Sequence, residues 1–139
     1  KGCLETYASA TGIVRTVIEY LDESDRETSL RKYGTDKLNS FVIYQEAVKG
    51  DKTALEAFDY TAFILGRTMA DSVAYTSPEA IFLFGGLANA TEFIFAPVKN
   101  YMEEHLLNIY KDKVQILPSE LNEGHAAVLG AAALIWNEF

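Results

Sequence analysis

Apolar residues recur at intervals of three or four positions over most of the chain, which is the spacing of amphipathic helices. The pattern predicts helices at about 4–21, 40–49, 51–77, 91–107 and 124–138. Two short apolar runs predict strands, Ala80–Phe84 and Lys113–Leu117. A glycine follows the first run and a proline follows the second. Because strands alternate with helices in the second half, the order α-α-α-β-α-β-α predicts parallel β-α-β pairing with a right-handed crossover.

The Ala80–Phe84 run ends at a pair of glycines. Its unbroken apolar composition predicts a strand that is buried on both faces. Gly85 and Gly86 follow, and a helix is expected to begin near 89–91. Neither glycine has a Cβ, so the backbone here can approach a flat or charged ligand closely. Glycine turns between strands and helices are common in α/β proteins, so the pattern alone leaves a purely structural turn open.

Several residues are typical of helix ends. Gly50 is expected to close one helix and Asp51 to cap the next. The long helix that follows should end at Ser77-Pro78, and Pro97 should lie near the first turn of its helix or kink it. The charge-rich stretch 22–39 predicts a solvated excursion, with one helical turn around Leu30.

Composition narrows the class of protein. The 139 residues are 49% hydrophobic and 23% charged, which is ordinary for one globular domain. A net charge of −8 argues against a nucleic-acid-binding surface and against docking on an anionic membrane. No apolar run is long enough for a membrane helix, and the N-terminus does not read as a signal peptide. Cys3 is the single cysteine, so no intrachain disulfide can form, and a cytoplasmic location is expected.

The number of predicted strands bears on completeness. A sheet of two strands is marginal by itself, so either the early helices cover a minimal sheet or further strands precede Lys1. The chain does not start with methionine, which favours the second explanation. We therefore expect residues 1–139 to be one portion of a longer protein.

Several motifs, in their order and spacing, resemble segments of the ROK family of bacterial sugar kinases and sugar-responsive repressors. They are Gly2-Cys3-Leu4-Glu5, the stretch 44–51 that ends in Gly50-Asp51, Leu65-Gly66, the stretch 77–86, and Leu129–Leu134. The resemblance covers nearly the whole chain. It implies a helix-rich α/β piece of the C-terminal domain of an actin-like, ribonuclease H-like ATPase, with a parallel β-α-β core and packed helices.

The closest similarity within the family is to glucokinase-type members. It implies a homo-oligomeric enzyme that uses ATP with Mg²⁺ to phosphorylate the 6-hydroxyl of a hexose, most simply glucose. The family places its catalytic aspartate and glycine-rich phosphate loops on the N-terminal lobe. This sequence contains no Asp-x-Gly-Gly-Thr loop and no Asn-Asp pair. The resemblance therefore implies a C-terminal lobe portion with half a nucleotide pocket, and no catalysis by the chain alone.

The resemblance also assigns roles to particular residues. Glu5 matches the glutamate that accepts hydrogen bonds from sugar hydroxyls, and a carboxylate offers about four acceptor sites for them. Gly85, Gly86 and Leu87 match the turn beside the adenine and ribose of ATP. Cys3 matches the last thiolate of a structural zinc site formed by one histidine and three cysteines, and a single ligand cannot hold zinc. Judged without the resemblance, Glu5 would be a first-turn residue that favours the helix dipole.

Two other classes of function stay open. A ROK-type repressor would bind sugar through Glu5 and carry an upstream helix-turn-helix without the ATP loops. A non-catalytic α/β interaction module would bind neither ligand. His105 and His125 have no convincing partners in the sequence, so we expect surface or capping roles for both.

Overall fold

The helices and strands follow the predicted order. The computed structural model describes residues 2–121 and 123–136. The helices are α1 (Ala10–Glu23), α2 (Ser40–Val48), α3 (Lys52–Thr76), α4 (Thr91–His105) and α5 (Glu123–Trp136). The strands are β1 (Ala80–Leu83) and β2 (Gln115–Pro118), and short 3₁₀ helices lie at Leu4–Thr6, Ser29–Tyr33 and Gly86–Asn89.

The predicted helix ends around α3 are confirmed. Gly50 has a φ of +88°, a conformation that favours glycine, and it separates α2 from α3. The Asp51 carboxylate then accepts a hydrogen bond from the Ala54 N–H at 3.0 Å, which caps the start of α3. At the other end Ser77 is left-handed, with a φ of +47°, and its N–H bonds the Val73 carbonyl. Pro78 follows.

The first predicted helix, 4–21, is wrong in its start. The structure has a 3₁₀ helix at Leu4–Thr6 and then a separate helix, α1, from Ala10. Ser9 causes the break, because its extended backbone and its hydroxyl, which accepts from the Gly12 N–H at 3.0 Å, form an N-cap. Glu5 therefore lies outside α1, in the short helix that precedes it.

Helix α3 is the centre of the hydrophobic core. The apolar residues whose spacing predicts this helix include Phe58, Ala62 and Val73, and all three are at most 2% exposed. Helix α4 packs along it at Gly66, where an added Cβ would lie 2.7 Å from the Val98 carbonyl oxygen. Only a residue without a side chain allows the two helix backbones to approach so closely.

The stretch 22–39 is only partly a solvated excursion. The helical turn around Leu30 is confirmed as the 3₁₀ helix Ser29–Tyr33. Leu30 itself is fully buried and Leu38 is 8% exposed, so this segment contributes to the core. Its charged residues are nevertheless exposed in most positions, as the composition indicated.

The strands pair in parallel, as predicted, with α4 as the connection. Ile81 pairs with Ile116 and Phe82 with Leu117. The prediction that β1 is buried on both faces is wrong. Ile81 and Leu83 pack against the core, whereas Phe82 is 64% exposed, because successive side chains of a strand point to opposite faces and only one face is covered.

The second half differs in other details from the sequence-based prediction. Pro97 lies inside α4, beyond its first turn, where it cannot donate the usual bond to the Phe93 carbonyl. Helix α4 ends at His105 rather than at 107, because the Leu106 backbone is extended. Over the described residues, no helix combines the length and apolar character needed to cross a membrane.

Candidate functional site

The backbone between β1 and α4 makes a sharp turn at the predicted glycines. Gly85 has a φ of +103° and a ψ of 172°, a combination that is essentially restricted to glycine. Its carbonyl accepts a bond from the Ala88 N–H at 2.9 Å, which starts the 3₁₀ helix Gly86–Asn89. An added Cβ at either glycine would meet nothing within 4 Å, so open space lies beside the turn.

Two of the predicted nucleotide-binding residues line a cavity of about 460 Å³, which is within the usual size range of small-molecule sites. Gly86 and Leu87 form one side of it. The start of α2 supplies the opposite side with Ser40, Phe41 and Tyr44. The remaining lining residues are Phe58, Asn89 and Ala90. The cavity therefore lies just beyond the carboxyl end of a parallel strand, where α/β folds commonly bind ligands.

The aromatic side of the cavity is held by contacts between helices. The Tyr44 hydroxyl donates to the Glu92 carboxylate of α4 at 3.1 Å, and this bond raises the pKa of Tyr44. The Tyr44 ring meets Phe93 edge-on, with centroids 5.9 Å apart, and Phe93 packs on Phe58. Phe41, by contrast, is 64% exposed, so its ring is accessible to a ligand.

Gly85 lies on the other side of the turn. It lines a separate cavity of about 140 Å³, together with Leu83, Phe84, Pro118 and Leu121 among others. This volume is below the usual size of a small-molecule site. The structure therefore brings Gly86 and Leu87 together at the larger cavity, and gives Gly85 the backbone conformation that forms the turn.

Glu5 and Cys3 lie at the N-terminal end of the chain and both are exposed. Neither lines the cavities described above. The Glu5 carbonyl accepts a bond from the Ser9 hydroxyl at 2.6 Å, which fixes the backbone next to its carboxylate. Within residues 2–121 and 123–136, no cluster of three or more His, Cys, Asp or Glu side chains could hold a metal ion.

The prediction for one of the histidines is confirmed. His105 is exposed in the last turn of α4, where its Nδ1 lies 2.8 Å from the Tyr101 carbonyl oxygen. Its ring also contacts Phe63 edge-on. The side chain of His125 lies outside the described residues.

Sequence reasoning missed the aromatic side of the cavity. From the sequence, Phe41 and Tyr44 are only apolar members of the predicted helix 40–49. Their separation of three positions places them on one face of α2, which is a usable signal. That this face meets the glycine turn follows from how α2 and the 86–89 segment pack, which no local pattern reveals.

A buried polar network at the α2–α3 junction was also missed. Glu46 is 4% exposed, and its carboxylate accepts bonds from Lys49, Ser29 and Tyr33. These donors, with Lys49 the strongest, lower the pKa of Glu46 from 4.5 to about 2. Asp51 continues the network by accepting from the Ser29 N–H at 2.8 Å.

The hydrogen bonds of this junction network connect three elements of the fold. The carboxylates of Glu46 and Asp51 both accept hydrogen bonds, and these contacts join the 3₁₀ helix Ser29–Tyr33 to the end of α2 and the start of α3. The network holds α2 against the rest of the core. It therefore helps to position the aromatic side of the cavity, which the same helix carries.

Comparison with known proteins gives a family. The ROK family model matches residues 1–138. The chain is 29% identical over 136 residues to a glucokinase of Thermotoga maritima, covering 97% of this chain and 43% of the relative. It is 32% identical over 138 residues to a glucokinase of Halalkalibacterium halodurans, covering 96% and 41%. It is also 26% identical over 134 residues to the DNA-binding transcriptional dual regulator NagC of Escherichia coli, covering 96% and 32%.

Solved structures show the same fold. A protein of Cytophaga hutchinsonii described as a sugar kinase superposes with a TM-score of 0.83 at 28% identity, covering 96% of this chain and 44% of that one. A Streptomyces griseus ROK glucokinase, solved with glucose and AMPPNP, gives a TM-score of 0.77 at 24% identity, with the same coverage. The chain thus has the helix-rich α/β architecture of the actin-like ATPases. It spans less than half the length of the curated relatives it matches.

Proposed function

Because the chain belongs to the ROK family, we propose that it supplies the nucleotide side of an ATP-dependent hexose kinase of the glucokinase type. The observation that carries the proposal is the cavity of about 460 Å³ between Gly86-Leu87 and the aromatic face of α2. This cavity has the size and the apolar lining that suit a flat purine ring. The predicted adenosine turn forms one of its sides.

The roles within the cavity follow from its residues. Gly86 has no side chain, so the turn leaves room for the ribose or adenine to approach the backbone. Leu87 and Phe41 present apolar surface to the base, and Tyr44 is fixed by its bond to Glu92. A side chain that is already held in place loses less conformational entropy when a ligand binds. In this proposal the cavity orients ATP, and the attacking hydroxyl and its base come from other parts of the enzyme.

Glu5 is proposed to bind the sugar. An exposed carboxylate on a backbone held by the Ser9 hydroxyl can accept bonds from two neighbouring sugar hydroxyls. The structural zinc does not fit the described residues taken alone, because Cys3 has no companion ligands there. No described residue is assigned to Mg²⁺. Zinc at Cys3 therefore stays a prediction for the whole protein.

The test is a coupled assay of the natural gene product with glucose and ATP, with each substrate also omitted in turn. The proposal expects phosphorylation of glucose that depends on both. Glu5→Gln should lower kcat/KM for glucose by about tenfold or more and leave the KM for ATP unchanged. Only the sugar loses a charged hydrogen-bond acceptor. Glu27→Gln, at an exposed position, is the matched control. Absence of turnover in a folded protein that binds glucose would overturn the kinase proposal.

The second candidate is the sugar-binding part of a ROK-type repressor. The 26% identity to NagC over 96% of the chain favours it, because the kinases and this regulator share the same segment. A repressor would bind sugar through Glu5 without needing nucleotide. Glucose binding that is unaffected by AMPPNP, together with operator DNA binding by the natural gene product, would favour the repressor over the kinase.

A further inference from the structure

A second groove, separate from the nucleotide cavity, lies where α1, α3 and α4 meet. Its walls are aromatic, namely Tyr20, Tyr60, Phe63 and Tyr101, and its volume is about 520 Å³. Two carboxylates of α3, those of Glu56 and Asp59, also line it. None of these residues lines the cavity at Gly86. We call this surface the aromatic groove.

A guanidinium of the chain itself contacts two residues that line the aromatic groove, Tyr20 and Glu56. The Arg26 guanidinium lies over the Tyr20 ring, 4.7 Å from its centroid, and pairs with the Glu56 carboxylate. Tyrosine faces attract cations, and a carboxylate beside the ring adds a charge partner. The groove is therefore chemically suited to arginine, and its own residue demonstrates the mode of binding.

The groove offers a second position of the same kind at Asp59. Asp59 is exposed, and its carboxylate accepts from the Tyr101 hydroxyl, which lies 2.9 and 3.0 Å from the two carboxylate oxygens. A carboxylate has about four acceptor sites, so one hydroxyl leaves room for a planar fork of two N–H groups. Tyr60 lies beside it as an aromatic wall, and Phe63 stacks edge-on against Tyr101.

We propose that the aromatic groove is a docking surface for a protein partner, whose arginine inserts beside Tyr60 and binds Asp59. Charge complementarity supports this occupant, because the chain carries a net charge of −8 and two carboxylates line the groove together with four aromatic rings. Arginine is favoured over lysine, because its planar guanidinium both stacks on rings and binds a carboxylate through two bonds. Glu56 and Asp59 are both exposed, so a segment of a partner can reach the groove from solvent.

The test uses the folded natural gene product and a fluorescein-labelled peptide, Ser-Gly-Arg-Gly-Arg-Gly-Ser, with binding followed by anisotropy. Its twin carries neutral citrulline at both arginines. The proposal expects the citrulline peptide to lose most of the binding. Asp59→Asn should weaken the arginine peptide about three- to fivefold, which is the scale of an exposed charge pair. Asp22→Asn, an equal change of charge at an exposed position of α1, is the control and should leave binding within about 1.5-fold.

Arg26 provides a second and opposite prediction. Arg26→Met keeps the apolar stem but frees Glu56 and the Tyr20 face, so the arginine peptide should bind about two- to fivefold more tightly. Equal binding of the citrulline peptide would overturn the proposal. So would equal losses in Asp59→Asn and Asp22→Asn, or weaker binding by Arg26→Met with an unchanged melting temperature. Glucose phosphorylation by the natural gene product is a separate readout, which these variants should not change.

Discussion

The helices α1–α4 and the β1–β2–α5 region use similar apolar residues with different results. In the first region Ile13, Phe58 and Val98 are at most 2% exposed. In the second, Phe82 is 64% exposed and Leu134 of α5 is 74% exposed. The helices bury their apolar stripes against one another, whereas the strands pack one face on the core and leave the other face open. An apolar side chain therefore indicates burial only where a second layer covers it.

The difference in burial between the two regions also bears on the candidate site. The cavity at Gly86 and Leu87 lies at the border between the two regions, since α2 and α3 supply one wall and the turn after β1 supplies the other. The helical region thus gives the site a fixed aromatic wall. Phe82, on the open face of the sheet, does not line the cavity. Substitutions on that face should therefore leave ligand binding unchanged.

The largest expected difference in stability between the two regions comes from deleting one aromatic ring in each. Phe58→Ala should lower the free energy of unfolding by about 3–5 kcal/mol, because it leaves a cavity at the centre of α3. Phe82→Ala, its matched partner on the open face, should cost less than about 1 kcal/mol. Urea unfolding followed by circular dichroism measures both. Similar losses in the two variants would show that the sheet face is covered in solution.

A pair of glycines sharpens the same comparison. Gly66→Ala should destabilise the chain by about 1–3 kcal/mol, because the added Cβ would lie within 3 Å of the α4 backbone. Gly130→Ala on α5 meets nothing within 4 Å, and it should stabilise by about 0.5–1 kcal/mol through helix propensity. Thermal melts of the two variants give opposite shifts if α3 and α4 pack as described. A neutral Gly66→Ala would contradict the close approach.

The smallest effect concerns acid stability at the α2–α3 junction. The pKa of Glu46 is about 2 in the folded chain and 4.5 ordinarily, so its contribution is complete above about pH 4.5. That contribution is lost as the pH falls from 4.5 towards 2. The Glu46→Gln variant should therefore be about 1 kcal/mol less stable than the wild type at pH 7. It should also lose less stability than the wild type when the pH is lowered. Glu19→Gln, at an exposed position of α1, is the control, and an equally steep acid profile for Glu46→Gln would contradict the role of the network.

The order of elements was predictable because its signals are local. The helical stripe of α3, the Gly50-Asp51 junction and the stop at Ser77 each follow from side chains a few positions apart. The exposure of Phe82 was not predictable in this way. An unbroken apolar run gives the same signal whether or not a second layer is present, and the layer is a property of the assembled structure.

The candidate site divides along the same line. Gly86 and Leu87 were identifiable from the end of the apolar run and from the family resemblance. Phe41 and Tyr44 were not, because they lie more than 40 positions away and reach the turn only through the packing of α2. The Asp51–Ser29 contact similarly joins residues 22 positions apart, which hid the role of the charged stretch.

The most direct test of the proposal that ATP binds this cavity is the dissociation constant for AMPPNP, measured by calorimetry on the natural gene product and its Gly86→Val variant. An added side chain at Gly86 meets open space in the structure, so the fold should be retained while the ligand is obstructed. We expect binding to weaken by about tenfold or more with an unchanged melting temperature, and Gly130→Ala to bind as the wild type does. Equal affinity of wild type and a folded Gly86→Val would contradict the assignment of this cavity to ATP.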